Sequence, residues 1–285
     1  MQIVAPAKIN LFLDIGDRRD DGYHEVDTVI VPVPGLADVV TMEPADRLTV
    51  QCEHPAVPEG EGNLCWRAAE AYASAAGPGA ADWAIRIAKK IPVAAGLGGG
   101  SSDAAAILKG LNREAARPLP AVVLQQLAVE LGADVPFFLE GRAARGRGIG
   151  EQLSPVPAPP PMGILLANPG FPLSTRWAYE QLDRGGARHR SVEPLLAALN
   201  SGGCEAIAGA MWNAFEAPTV NKFPLVAMLL EFCRERGALV SQLCGSGPTC
   251  FALFPSSAAA ADTADLMHRE LDPAIWTWSG WIGAV

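Results

Sequence analysis

Basic residues are scarce in this chain of 285 residues, which has 22 Lys and Arg against 31 Asp and Glu and a formal net charge of −9. A general electrostatic attraction to nucleic acid or to an anionic membrane needs a surplus of positive charge, so this balance argues against both partners. The chain also has no uninterrupted apolar run of about 18 residues, the length that a transmembrane helix requires. An anionic ligand must therefore be held by a local site.

Cysteine and histidine pairs at metal-ligand spacing are missing as well. The six cysteines are scattered, without a Cys-x-x-Cys pair, and they predict buried reduced thiols rather than disulfides or a structural zinc. The segment from Met1 to Lys8 begins a strand pattern at once, without the apolar core of a signal peptide. We therefore expect a soluble cytoplasmic protein, as a monomer or weak dimer, without nucleic-acid or membrane partners.

The chain does contain a run of glycines directly before a helical pattern. Glycines let several backbone N–H groups point to one place, and the start of a helix adds unpaired N–H groups and a positive dipole end. The pattern therefore predicts a phosphate-binding loop, followed by a helix that begins at Ser101 or Ser102. The residues of this loop are Pro92, Val93, Ala94, Ala95, Gly96, Leu97, Gly98, Gly99, Gly100, Ser101 and Ser102.

Two common glycine motifs do not fit this loop. It lacks the Gly-Lys-Ser/Thr ending of a P-loop, and Ser101 stands where a dinucleotide-binding turn would have Gly or Ala. A flexible loop capped by serines is the alternative, but three consecutive glycines are destabilising unless a ligand requires them. The loop is therefore predicted to bind phosphate in another kind of nucleotide site.

The proline-rich segment 155–161 is the clearest stiff break in the chain. It divides the sequence into predicted domains 1–154 and 162–285. Strand and helix patterns recur in both parts without an internal repeat, which indicates an α/β or α+β protein.

Several local predictions bear on the site. Pro136 disfavours helix at the residue before it, so 133–138 is predicted to be extended or turn, with Asp134 at a helix-to-loop junction. Ser174 is predicted to cap a helix that carries Trp177 and Tyr179. Further helices are predicted at 194–201, 204–215, 223–236 and 256–271.

Three motifs together resemble those of the GHMP kinase superfamily of small-molecule kinases. They are Pro6-Ala7-Lys8 in the first strand, the glycine-serine loop, and 245–249, which reads Gly-Ser-Gly-Pro-Thr. The resemblance covers essentially the whole chain. It implies a two-domain α+β GHMP kinase fold, with a ribosomal S5-like N-terminal domain and a ferredoxin-like C-terminal domain.

The sequence Gly22-Tyr23-His24 sharpens the resemblance to one branch of the superfamily. That branch transfers a phosphoryl group from ATP to the 2-hydroxyl of a cytidylyl methylerythritol in non-mevalonate isoprenoid biosynthesis. The resemblance implies ATP and Mg²⁺ as cofactors, Lys8 as the cation beside the reacting hydroxyl, and Asp134 as the proton acceptor. From the residues alone, a single Lys on a strand is typical of a solvated edge, and an Asp before Val-Pro is typical of a turn. No carboxylate cluster indicates a protein-built metal site, so magnesium is expected to arrive with ATP.

The resemblance also implies the substrate-binding residues. Asn10, Tyr23, His24 and Tyr179 are assigned to the substrate, because an aromatic face and an imidazole that can donate and accept suit a cytosine base. By default Tyr23 would be a half-buried aromatic and His24 a surface imidazole. Trp177 or Phe171 could replace Tyr179 in stacking on the base.

Two residues are assigned to ATP with an open alternative. Asn63 is either a helix cap or a residue near adenine, and Lys89 is either a solvated strand end or part of the nucleotide site. Two other functions also compete for the whole chain: a superfamily kinase for mevalonate, homoserine or a sugar, and a catalytically silent nucleotide-binding regulator. Gly22-Tyr23-His24 disfavours the first, and retention of both Lys8 and Asp134 disfavours the second.

Overall fold

The computed structural model describes residues 1–77, 82–185 and 189–283. Contacts between Cα atoms divide the chain into two compact units that interleave along the sequence. The first unit consists of Met1–Lys8, Leu36–Val93 and Gly98–Arg142, and the second of Ile9–Gly35, Ala94–Leu97 and Ala143–Val285. These units are defined by contacts, and the predicted domain boundary at 155–161 stays a prediction.

Two long strands, β1 (Gln2–Arg18) and β2 (His24–Pro44), contribute residues to both units. In the first unit, the end of β2 pairs antiparallel with β4 (Trp83–Ala88), and β4 pairs parallel with β3 (Thr49–Cys52). Ile85 and Ile87 of β4 are buried and alternate with exposed residues, the period of two that a half-buried strand requires.

The helices of the first unit are α1 (Leu64–Ala76), α2 (Gly99–Glu114), α3 (Ala121–Leu131) and α4 (Val135–Glu140). Helix α2 packs against α1 and α4. It is buried from Ser102 to Leu108, where small alanine side chains allow a close approach. This packing fixes the direction of the α2 N-terminus, which carries the end of the glycine loop.

In the second unit, β1 pairs parallel with β8 (Trp212–Asn213), and β2 pairs antiparallel with β5 (Ala144–Arg147). Strand β5 in turn pairs antiparallel with β6 (Gln152–Pro155). A separate antiparallel sheet has the order β11-β7-β10-β9. Its strands are β7 (Met162–Asn168), β9 (Val240–Leu243), β10 (Cys250–Phe254) and β11 (Trp276–Ile282).

The second unit also contains the remaining helices. The apolar faces of the helices at Thr175–Gly185, Pro224–Arg234 and Ser257–Glu270 join buried residues of β7 and β10 in one core cluster, which includes Phe215, Leu229 and Phe254. The helices are α5 (Thr175–Gly185), α6 (Glu193–Ser201), α7 (Cys204–Ala210), α8 (Glu216–Lys222), α9 (Pro224–Arg234) and α10 (Ser257–Glu270).

Three local predictions are wrong. The segment after Asp134 forms helix α4, because Pro136 lies in the first turn, where its missing N–H would have no partner. The predicted helix 204–215 ends at Ala210, since 212–213 pairs with β1 as a strand. Helix α2 begins at Gly99 instead of at a serine.

The α+β prediction is confirmed. All six cysteines are free thiols, but Cys52 and Cys204 are only partly buried, so the prediction of buried thiols is wrong for these two. No helix in the described part of the chain is long and apolar enough to cross a membrane.

Candidate active site

The end of the glycine loop forms the first turn of α2 in the first unit. Gly98 has φ +74°, and a Cβ there would lie 2.8 Å from the Phe138 ring and 3.0 Å from Lys8 Cγ. Only glycine fits this backbone and this space. A Cβ on Gly100 would meet nothing within 4 Å. Ser102 N donates to the carbonyl oxygen of Gly98 at 2.9 Å, so the N–H groups without an intrahelical acceptor are those before Ser102, beside the open space at Gly100.

The middle of the loop, 94–97, belongs to the second unit and lies on the turn 244–247. A Cβ on Gly96 would collide with the carbonyl oxygen of Cys244, and Gly96 has φ +79°. Asn213 Nδ2 donates to the carbonyl oxygens of Leu243 and Gly245 at 2.8 Å each, which holds that turn. The turn at the start of the motif 245–249 thus packs against residues 94–97 of the loop.

The other loop residues divide into anchors and exposed backbone. Ala95 and Leu97 are buried, whereas Pro92 and Val93 are partly buried and Ala94 is exposed. The buried side chains of Ala95 and Leu97 fix the loop, so a contact of these two residues with a ligand would be made through the backbone. The assignment of all five residues to ATP stays a prediction.

Lys8 and Asp134 meet in the first unit. Lys8 Nζ lies 3.6 Å from Asp134 Oδ2, and the Lys8 side chain is 6% exposed against 38% for Asp134. Lys8 is therefore not on a solvated strand edge. Asp134 occupies the residue before α4, in a helical backbone conformation, and so faces solvent at a helix N-terminus.

Lys109 of α2 holds the other end of α4. Its Nζ donates to the carbonyl oxygen of Phe138 at 2.6 Å, and burial lowers the pKa of the Lys109 ammonium. Because the last carbonyls of a helix lack intrahelical partners, this contact stabilises α4 and with it the position of Asp134. No sequence pattern had indicated a role for Lys109.

Lys89 lies in a buried ion triad. Its Nζ donates to Asp38 Oδ2 and, at 2.7 Å, to Asp103 Oδ2, and all three side chains are at most 8% exposed. A solvated strand end is therefore wrong for Lys89. Asp38 and Asp103 were not identified from the sequence, although Asp103 directly follows the serines of the loop.

The triad carries one cation and two carboxylates. The pKa of Asp103 is raised to about 7, because burial and the charge of Asp38 together outweigh the opposing effect of Lys89. Burial lowers the pKa of Lys89, but the ion pairs with Asp103 and Asp38 outweigh it and leave that pKa raised. An additional cation near Asp103 would therefore be favoured.

Two buried oxygens at the start of α2 lack partners. Ser102 Oγ and Asp103 Oδ1 have no hydrogen-bond partner among the residues that the structure describes, and both residues are at most 3% exposed. A buried polar atom without a partner costs free energy, so such atoms mark a place where a ligand or ion can be accommodated. Ser101 is partly buried at the same turn.

Asn63 is a helix cap. Its Oδ1 accepts from Cys65 N at 2.9 Å, and its Nδ2 donates to the carbonyl oxygen of Pro58 at 3.0 Å. Both ends of the side-chain amide are thus engaged within the protein. The structure supports the capping alternative, and a role of Asn63 near adenine stays a prediction.

In the second unit, His24 and Tyr179 come together. Their ring centroids lie 5.0 Å apart with an interplanar angle of 32°, and Tyr179 in turn packs edge-on against Phe215. Tyr23 is 60% exposed. An exposed large aromatic next to this pair offers a face on which a planar base could stack.

The two alternatives to Tyr179 lie elsewhere in the same unit. Phe171 and Trp177 both pack against Phe223, with ring centroids 5.1 and 5.2 Å away. Of the three aromatic candidates, the structure thus puts Tyr179 beside His24. A hydrogen bond from Trp177 N to Ser174 Oγ, at 3.4 Å, agrees with the predicted cap of this helix.

Asn10 is buried within the second unit. Its Nδ2 donates to Thr28 Oγ1 at 2.9 Å, and its backbone carbonyl accepts from Gln242 Nε2 at 3.2 Å. Thr28 Oγ1 donates in turn to the carbonyl oxygen of Phe12. This network fixes the orientation of the amide, while contact of Asn10 with substrate stays a prediction.

Sequence reasoning missed Asp183. His24 Nε2 lies 2.8 Å from Asp183 Oδ1, and Asp183 follows Tyr179 by four residues on α5. Residues four apart share a helix face, so the spacing alone could have placed a carboxylate beside the aromatic.

Comparison with known proteins identifies the family. Two family models match: the GHMP kinases N terminal domain over residues 63–142 and the GHMP kinases C terminal over residues 195–271. The 4-diphosphocytidyl-2-C-methyl-D-erythritol kinase of Geobacter sulfurreducens is 39% identical over 273 residues, which cover 95% of each chain. The enzyme of the same name from Pelobacter propionicus is 39% identical, over 100% of this chain and 98% of its own.

A solved structure agrees. A crystal structure of 4-(cytidine 5'-diphospho)-2C-methyl-D-erythritol kinase matches the whole of this chain with a TM-score of 0.83 and 36% identity. The resemblance that the three motifs carried, and the two-domain fold that it implied, are confirmed. The chain belongs to the 4-diphosphocytidyl-2-C-methyl-D-erythritol kinase family of GHMP kinases.

Proposed function

We propose that this protein transfers the γ-phosphoryl group of ATP to the 2-hydroxyl of 4-diphosphocytidyl-2-C-methyl-D-erythritol. The observation that carries the proposal is the contact of Lys8 with Asp134, 3.6 Å apart, in the unit that also holds the glycine-led start of α2. The substrate follows from the names of full-length relatives with 39% identity. ATP is the phosphate donor of GHMP kinases, whose two family models match here.

The residues supply positioning and charge. Phosphoryl transfer passes through a loose transition state, so the protein contributes alignment and neutralisation of charge more than covalent chemistry. The hydroxyl oxygen forms the new bond to phosphorus, the bond from phosphorus to the ADP oxygen breaks, and the hydroxyl proton passes to Asp134. Lys8 holds the carboxylate in place and stabilises negative charge on the transferred group.

Magnesium fits the first turn of α2. Mg²⁺ prefers oxygen ligands and keeps several waters, and Ser102 Oγ and Asp103 Oδ1 are oxygens without partners there. Throughout the described ranges, no group of three or more His, Cys, Asp or Glu side chains is placed to hold a metal by itself. We therefore assign Ser102 and Asp103 to an ion that would arrive with ATP and would supply positive charge for the phosphates.

The base of the substrate is assigned to Tyr23, His24 and Tyr179. The exposed Tyr23 ring offers a stacking face, and His24 offers edge hydrogen bonds beside Tyr179. Asn10 is assigned to the erythritol part. We also propose a cytoplasmic location, which the six reduced thiols support, and a monomer or weak dimer.

Changing Gly100 to Val tests the phosphate loop. The site of a Cβ on Gly100 is open, so the fold accommodates the side chain, while the side chain occupies the space that the first-turn N–H groups border. We expect ATP affinity to fall at least about tenfold, with the affinity for the cytidylyl substrate unchanged. Calorimetric titration with ATP measures the effect. Gly209→Val, at another exposed helical glycine with open space, is the matched control. Wild-type ATP affinity in Gly100→Val would remove the α2 N-terminus from the phosphate site.

The substrate is tested by measuring ADP release with a panel of alcohols. We expect turnover with the cytidylyl methylerythritol and little with mevalonate, homoserine or galactose. Stacking on an aromatic side chain is worth about 1–3 kcal/mol per base. His24→Ala and Tyr179→Ala should therefore each raise KM for the cytidylyl substrate by roughly 5- to 150-fold, with KM for ATP nearly unchanged. Efficient turnover of another alcohol, insensitive to both variants, contradicts the proposed substrate.

A further inference from the structure

We propose that Asp183 is a specificity-determining positioning residue, which fixes the His24 ring so that it selects a base with an exocyclic amino group over one with a carbonyl. This inference rests on the proposed function, because it concerns the base of that substrate. It adds a residue outside the predicted site and names the feature of the base that is read.

The contact between the two side chains is direct. His24 Nε2 and Asp183 Oδ1 are 2.8 Å apart, and the His24 side chain is 10% exposed whereas that of Asp183 is 43% exposed. An ionised carboxylate can only accept hydrogen bonds, so Nε2 must carry the proton that joins them. In a neutral imidazole the other nitrogen, Nδ1, is then an acceptor.

Helix α5 fixes the geometry of the pair. Ala178 and Leu182 are buried in the core of the second unit, which sets the rotation of the helix. Tyr179 and Asp183 follow these anchors by one residue each and lie four apart on one face. The ring of His24 is thus held by the Tyr179 ring on its face and by the Asp183 carboxylate at its edge.

An acceptor at Nδ1 distinguishes the two pyrimidines of natural nucleotides. The exocyclic amino group of cytosine can donate to Nδ1, whereas uracil has a carbonyl oxygen at the same place and would set two acceptors against each other. Leaving such polar groups unpaired in a partly buried site reduces affinity by roughly 5- to 150-fold. Without Asp183 the imidazole can carry its proton on Nδ1 instead, and the preference should be lost.

The experiment compares the binding of cytidine 5'-diphosphate and uridine 5'-diphosphate to the full chain by calorimetry, with the ATP site saturated by a non-hydrolysable ATP analogue. Asp183→Leu removes the acceptor, whereas Asp183→Asn retains an amide oxygen that can accept from Nε2. Glu180→Leu, at an exposed position of the same helix, is the matched control.

We expect the wild type, Asp183→Asn and Glu180→Leu to prefer the cytidine compound, and Asp183→Leu to lose the preference by roughly 5- to 150-fold. Nitrogen NMR of labelled protein reports the tautomer directly, and the chain has only four histidines to assign. In the wild type the signal of His24 should show the proton on Nε2, and in Asp183→Leu it should show a mixture. A merely structural role for Asp183 would change the melting temperature without moving the tautomer or the base preference.

Three results would overturn the inference: an unchanged base preference in Asp183→Leu, an unchanged tautomer in that variant, or a wild type with the proton on Nδ1. A failure of the proposed function looks different. In that case the protein does not phosphorylate the cytidylyl methylerythritol, yet the preference for the cytidine diphosphate and its dependence on Asp183 persist.

Discussion

Replacing Asp134 by Asn should lower kcat by roughly 100-fold or more, while KM for both substrates changes little. Asparagine retains the shape of the side chain but cannot take the proton of the reacting hydroxyl. Replacing Lys8 by Met should lower kcat by a similar factor, because it keeps most of the stem and removes the charge 3.6 Å from the carboxylate. Single-turnover measurements isolate the chemical step from product release.

The control for Lys8→Met is Lys90→Met, since Lys90 is an exposed lysine of the same unit. The double variant of Lys8 and Asp134 should lose little more than either single variant, because residues that act as one unit are not additive. Single-turnover rates near those of the wild type in either single variant would contradict the assignment of both residues. Losses confined to KM would instead place the pair in substrate binding.

Replacing Lys89 by Met should destabilise the fold by about 3–5 kcal/mol, the usual cost of removing one partner from a buried ion pair. Asp38 and Asp103 would remain buried without their cation, and both are almost inaccessible to solvent. Denaturant unfolding at a fixed temperature measures the loss. Lys90→Met should change the free energy of unfolding by less than about 0.5 kcal/mol, as exposed substitutions do.

The loss of stability in Lys89→Met should depend on pH. The pKa of Asp103 is raised, mainly by burial, to about 7 from the ordinary value of about 3.9 for an aspartate, so the folded protein binds more protons than the unfolded chain between these values. The contribution of Asp103 to stability therefore falls as pH rises from about 4 to about 7. Without Lys89 the charged carboxylates of Asp38 and Asp103 repel each other. The loss of unfolding free energy in Lys89→Met should therefore be larger at about pH 8 than at about pH 5. A loss of unfolding free energy that is smaller at about pH 8 than at about pH 5 would contradict this role of Lys89 in the triad.

Part of the candidate site could be proposed from the sequence because some of its residues lie close together in short motifs. The glycine loop occupies one stretch and Gly22-Tyr23-His24 another, so the residues proposed to bind one ligand are neighbours in the sequence. Helix patterns likewise indicated several elements, including α10, which is predicted over 256–271. The structure shows that Ser256 caps this helix, because its Oγ accepts from Ala259 N.

What the sequence did not show depends on contacts between distant residues. Asp38 is 51 residues from Lys89 and Asp183 is 159 from His24, and no local pattern links either pair. The residues of the short strand β8 fit a helical pattern in the sequence. They form a strand because they pair with β1, a distant partner that no local pattern reveals. At Pro136 the prediction relied on the rule that disfavours helix at the residue before a proline, whereas Val135 and Pro136 form the first turn of α4.

The most direct test of the proposed function is a competition in one vessel. The purified protein is given limiting ATP with equal amounts of the cytidylyl methylerythritol, homoserine and mevalonate, and the products are identified by phosphorus and carbon NMR. We predict one new phosphate ester, on the 2-hydroxyl of the cytidylyl compound, with one ADP formed for each product. Phosphate on homoserine, on mevalonate or on another hydroxyl, or ADP formed without a phosphorylated product, would contradict the account.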